Sequence, residues 1–158
     1  MIKKRMGNEP FEKRALDAAF RFLARRSHSR MELQGKLARK DFGPEETQKA
    51  LDSLCRQGYV NDEETSFRWS QSLVRDRGWG KAKIAFYLMQ KGISSDIINR
   101  VQQKIWQEFS EEETARRALK KRFCQDNKNP LQAKAAAFLK SRGFSSEVIY
   151  KLVNELQS

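Results

Sequence analysis

Apolar positions along this chain fall at helical spacing, and they do so three times over. Between Trp79 and Val101, Ile84, Leu88 and Met89 lie at i, i+4 and i+5, the stripe of one helix face. Gly92 follows, where a helix C-terminus favours a residue free to enter the left-handed region. Ser94 and Ser95 then offer oxygens to cap a second helix, whose buried face carries Ile97, Ile98 and Val101. The pattern returns at a constant offset of 51 residues in both directions. Leu37, Leu88 and Leu139 correspond, as do Phe42, Ile93 and Phe144, and Leu33, Ile84 and Ala135. Gly143 repeats Gly92, while the upstream position holds Asp41, a residue that tolerates the same backbone conformation. Ser145-Ser146 repeats the serine pair, and Val148-Ile149 repeats Ile97-Ile98. The expected fold is all-α: three tandem three-helix repeats forming an elongated, curved array.

Taken in order, residues 1–9 are polar and basic and are expected to form a flexible N-terminal segment. Repeat 1 spans 10–60. Its first helix carries Leu16, Ala19, Phe20 and Leu23 on one face. Ser29 with Glu32 forms a capping box for the second, whose apolar positions are Met31, Leu33 and Leu37. Pro44 opens the third, built on Ala50, Leu51 and Leu54 and ended by Gly58. Repeat 2 spans 61–108: Asn61 or Asp62 caps its first helix, with Phe67, Ser70 and Val74 inward and Trp69 and Leu73 beside them. Repeat 3 spans 109–158, opened by a second capping box, Ser110 with Glu113. Ala115, Leu119 and Phe123 form one face of its first helix, and Asn127 to Pro130 form the following turn.

Composition sharpens this picture through charge. Lysine and arginine number 32 against 20 acidic residues, a formal +12. The excess is +6 over 1–60, +3 over 61–106 and +3 over 107–158, so it belongs to no single repeat. An anionic partner is implied, engaged over a long contact surface. Cys55 and Cys124 stand far apart without metal-ligand or CxxC spacing and are expected to be small buried apolar side chains. No apolar signal segment and no run near 18 apolar residues is present, so a reducing, cytoplasmic setting is expected.

Several residues have the chemistry for a site. The basic clusters are Arg25, Arg26 and Arg30; Arg75, Arg77, Lys81 and Lys83; and Arg116, Arg117, Lys120, Lys121 and Arg122. Trp79, in a loop between Arg77 and Lys81, is the best placed of the three tryptophans to touch a ligand; Trp69 and Trp106 lie on helical faces and read as core. Gly78-Trp79-Gly80-Lys81-Ala82 looks like the end of a phosphate loop, but Ala82 replaces the required hydroxyl and no strand precedes it. His28 is the single histidine, at a turn position, so no histidine-based metal site or catalytic pair can be built. No nucleophile with its base is evident, so neither catalysis nor a cofactor is expected.

These residues resemble the RecX family, bacterial regulators of the RecA recombinase. Tyr59-Val60-Asn61-Asp62-Glu63 is similar to the family's Tyr-Leu-Asp-Asp-Glu junction. Arg77-Gly78-Trp79-Gly80, then Ile84, Leu88 and Lys91-Gly92-Ile93, resembles its central core, and His28-Ser29 with Glu32-Leu33 and Lys36-Leu37 resembles its first-repeat helix. Two positions depart: Tyr87 stands where the family usually has glutamate, and Asn61 replaces the first junction aspartate. The resemblance implies a non-enzymatic modulator, expected to be a monomer. Its expected partner is the RecA filament on single-stranded DNA, whose ATP hydrolysis and strand exchange it would suppress from the helical groove. Two other readings stay open from the residues: a helix-turn-helix-like module that binds DNA directly, and a passive scaffold for an acidic protein.

Overall fold

A computed structural model describes residues 11–123 and 131–156, which contain nine α-helices and no strand. They are α1 (Phe11–Leu23), α2 (Arg30–Ala38), α3 (Pro44–Arg56), α4 (Asp62–Arg77), α5 (Lys81–Gln90), α6 (Ser95–Glu108), α7 (Glu111–Phe123), α8 (Gln132–Ser141) and α9 (Ser146–Glu155). The expected N-terminal segment 1–9, the turn Asn127 to Pro130 and Cys124 lie outside the described residues. The described residues up to Thr65 form one compact unit and those from Ser66 a second, so α4 spans the boundary.

The 51-residue offset is written into the caps. Ser29, Gly80 and Leu131 are the N-caps of α2, α5 and α8, and Gly43, Ser94 and Ser145 those of α3, α6 and α9. Asp41, Gly92 and Gly143 all adopt positive φ, 61°, 76° and 81°. Each turn therefore reverses the chain through the same left-handed residue, and aspartate fills it where glycine does not. Ser29 and Glu32 form the reciprocal capping box, and Pro44 occupies the first turn of α3. Asn61 caps α4 by accepting the Glu64 amide at 3.1 Å, so the departure from aspartate keeps the oxygen that this helix start requires.

In the first unit Ala19, Leu33, Leu37, Leu51, Leu54 and Val60 are buried together. Each buried leucine contributes roughly 1.5–3 kcal/mol. In the second unit one core gathers Leu73, Val74, Ile84, Leu88, Ile93, Val101 and Ile105, and another gathers Ala115, Leu139, Phe144 and Leu152. Trp69 and Trp106 pack half-buried against the first of these, as expected.

Some expected core positions point elsewhere. Met31, Met89 and Phe20 are exposed, at 51%, 58% and 37%. Met89 follows Leu88 by one residue, a rotation of about 100° that carries it off the inward stripe. Phe20 stands in the same relation to Ala19, and its ring meets Tyr59 edge-on at 4.9 Å. Cys55 is only half-buried, and Arg30 donates to its Sγ at 3.2 Å. His28 is buried: its Nδ1 donates to the Arg26 carbonyl at 2.8 Å, and Nε2 has no partner.

Candidate functional site: a basic cleft in the second unit

The cleft owes its shape to a close approach of backbones. Gly80 N donates to Arg142 O at 2.8 Å and Ala82 N to Gly143 O at 2.9 Å. The otherwise orphaned first amides of α5 are thus satisfied by carbonyls just beyond the end of α8. A Cβ on Gly80 would lie 2.6 Å from the Gly143 carbonyl, and one on Gly143 would collide with the Lys83 backbone nitrogen. The glycine of the central Gly-Trp-Gly stretch is therefore required by a chain segment some 60 positions on, which explains why the serine cap of α2 is not repeated at α5. Lys83 Nζ adds a bond to Ser141 O at 3.2 Å.

A buried carboxylate fastens the same junction. Glu111, 8% exposed, accepts from Ser145 N at 2.9 Å and Ser145 Oγ at 3.0 Å, and pairs with Lys81 Nζ at 3.1 Å. Ser145 sits at the N-cap of α9, but its hydroxyl is turned to Glu111 rather than to its own helix. Glu111 thereby supplies the anion at that helix start.

Beside this junction, the end of α4 with the following loop, the side of α7 and the α8–α9 turn enclose a cavity of about 670 Å³. Arg75, Arg77, Arg117, Lys121, Arg122 and Arg142 line it, with Asp76, Gly78, Trp79, Ala118 and Phe138. Arg117 donates to Val74 O at 3.3 Å and Arg142 to Arg77 O at 2.7 Å, so two guanidinium groups cover the last carbonyls of α4. Asp76, the one acid of the lining, is engaged by the Ser72 hydroxyl at 2.7 Å.

The structure sorts the candidate cations into two kinds. Some are neutralised by the protein itself. Arg26 pairs with Glu32 at 3.3 Å, and Arg30 with Asp52 at 2.7 Å. The Asp52 contact raises the Arg30 guanidinium and holds the Asp52 carboxyl below its ordinary range. Arg116 joins Glu155 and Glu112, hydrogen bonds that push its guanidinium up, while Lys151 and then Arg116 hold Glu112 down. Arg75 meets Glu108 at 3.3 Å and lies over Phe109, and Lys81 is held by Glu111.

The others keep their charge. Among the described residues, no carboxylate pairs with Arg77, Lys83, Arg117, Lys121, Arg122 or Arg142, and all of these but Lys83 line the cleft. Arg25 and Lys120 are exposed and lie outside the lining. Trp79 is half-buried and packs at 5.9 Å from Tyr87, which also meets Trp69 at 6.0 Å. Tyr87, the second departure from the family pattern, thus joins two tryptophans into one aromatic cluster. Arg142 and Phe138 were not among the sequence candidates. The signal for Arg142 was present, because Lys40, Lys91 and Arg142 share one position of the repeat.

No helix among the described residues is long and apolar enough to cross a membrane, and none of their His, Cys, Asp and Glu side chains group as a metal site.

Comparison with known proteins places the fold. Family models described as the first, second and third three-helix domains of RecX match residues 15–54, 61–101 and 110–153. A regulatory protein RecX of Legionella pneumophila is 35% identical over 154 residues, covering 92% of this chain and 96% of the relative. Another, from Chlorobium phaeobacteroides, is 32% identical over 146 residues, covering 92% and 95%. The crystal structure of RecX from Lactobacillus salivarius shares the fold with a TM-score of 0.79 at 21% identity, covering 93% of this chain and 97% of that one. With three consecutive domain matches and relatives spanning nearly its whole length, this chain belongs to the RecX family of regulatory proteins.

Proposed function

We propose that this chain regulates the RecA recombinase as a cytoplasmic monomer. It binds along the groove of the RecA–single-stranded DNA filament and suppresses ATP hydrolysis and strand exchange. Family membership supports a regulatory role, and the observation that carries the reading further is the cleft. Five of its six cations have no carboxylate partner among the described residues. Like charges held together without compensation cost stability, and a polyanionic filament would offset that cost. The three repeats, read as 10–60, 61–108 and 109–158, would each meet the filament, with Arg25 and Lys120 extending the contact outside the cleft. Bridging neighbouring recombinase subunits would then resist the rearrangements that ATP turnover requires.

The test is a titration of DNA-dependent ATP hydrolysis by the recombinase. Suppression at far fewer copies of this protein than of recombinase is the expected result. Suppression that begins only once the DNA itself is saturated would give the function to a direct DNA-binding module. No effect at any ratio would leave a passive scaffold.

A further inference from the structure

The cleft has a selectivity of its own. Its volume, about 670 Å³, lies in the range of pockets that enclose small ligands, room for one backbone segment and too little to enclose a duplex. Five of its six cations are arginines. A guanidinium carries five donors in a planar fork, so Arg117 and Arg142 keep free N–H groups after serving their carbonyls. The two rings of the lining are already occupied. Lys83 Nζ stands 4.8 Å from the Trp79 centroid and Arg77 5.9 Å, and Arg142 lies 5.1 Å from Phe138, whose ring also meets Phe123 at the edge. A base seeking a stacking platform would have to displace a cation.

We propose that the cleft grips the phosphodiester backbone of single-stranded nucleic acid through its charged donors and leaves the bases unread. This names the ligand of the site on which the regulator reading leans. It is tested without recombinase, so either can fail while the other stands.

Fluorescence anisotropy with a labelled oligothymidylate and with an abasic strand of equal length decides it. The cleft variant is Lys121→Gln with Arg122→Gln. The control, Lys134→Gln with Lys140→Gln, removes the same charge from exposed positions outside the lining. The cleft variant should bind about tenfold more weakly and lower the salt slope by about 1.4, at roughly 0.7 for each phosphate no longer neutralised. The control and the abasic strand should each stay within about twofold of the reference. Circular dichroism checks helicity. The single substitutions, each expected to cost about threefold, serve if the double fails to fold. Equal losses in both doubles would overturn the proposal, as would an abasic strand weaker by about fivefold or more, the mark of a stacked base. Tight calorimetric binding of inorganic tripolyphosphate without strand binding would also overturn it, giving the cleft to free polyphosphate.

Discussion

Gly143→Ala should damage the second unit far more than the same change damages a glycine in open space. Gly143 sits at φ 81°, where an alanine costs about 1–2 kcal/mol through its Cβ alone. The new methyl would also collide with Lys83 N and lie 2.6 Å from Lys83 Cβ, in the first turn of α5. Neither atom can rotate away, so α5 and the α8–α9 turn must separate. That stretches Gly80 N to Arg142 O and Ala82 N to Gly143 O, each contributing about 0.5–1.5 kcal/mol. The total comes to about 2–5 kcal/mol. Gly58 is the control: its φ is 78°, but a Cβ there meets nothing within 4 Å, so Gly58→Ala should cost only the conformational 1–2 kcal/mol or so. Urea denaturation of the two variants, followed by circular dichroism, measures both. Equal losses of about 1–2 kcal/mol would refute the close junction and leave only the backbone preference.

Three further outcomes follow from particular contacts. Glu111→Ala should cost about 2–3 kcal/mol in the same denaturation assay, because it strands the Ser145 amide and hydroxyl and releases Lys81. Leu88→Ala should cost about 2–5 kcal/mol, whereas Met89→Ala beside it should stay within about 0.5 kcal/mol, a contrast read from their midpoints. Burial holds the His28 imidazole below its ordinary value near 6.5, assisted by the charges of Arg26 and Lys36 and opposed by the Arg26 carbonyl and Glu32. The unfolded chain therefore takes up this proton at a higher pH than the folded one. The contribution is fully present above about pH 6.5 and is lost as pH falls below it, by at most about 1.4 kcal/mol per pH unit. His28→Asn retains a donor toward Arg26 O, and unfolding measured between pH 7.5 and 5 should show a flatter slope for it than for the parent.

The fold was legible because repetition makes weak local signals agree. A lone Asp41 says little, but at the offset of Gly92 and Gly143 it marks a left-handed turn. The leucines at 37, 88 and 139 were fixed in the same way, and all three are fully buried. Periodicity misplaced Phe20 and Met89, because neighbouring apolar residues on a helix differ by about 100° in direction and composition alone does not choose between them. It also misplaced Met31, which stands two residues and about 200° from buried Leu33. The cleft was half legible. Its cations were visible as clusters, but spacing within a helix cannot tell Arg116, tied to Glu112 and Glu155, from Arg117 beside it, which faces the α4 carbonyls. That distinction rests on Glu155, 39 residues away in sequence, and exists only once the chain has folded.

On the proposed reading, charge that the protein leaves uncompensated is the charge its partner would use. Inhibition of DNA-dependent ATP hydrolysis by recombinase, with this protein limiting, puts that most directly to the test. Arg116→Gln should inhibit as the parent does, while Lys121→Gln with Arg122→Gln should require about tenfold more protein. Equal inhibition by all three, or a greater loss from Arg116→Gln, would contradict it.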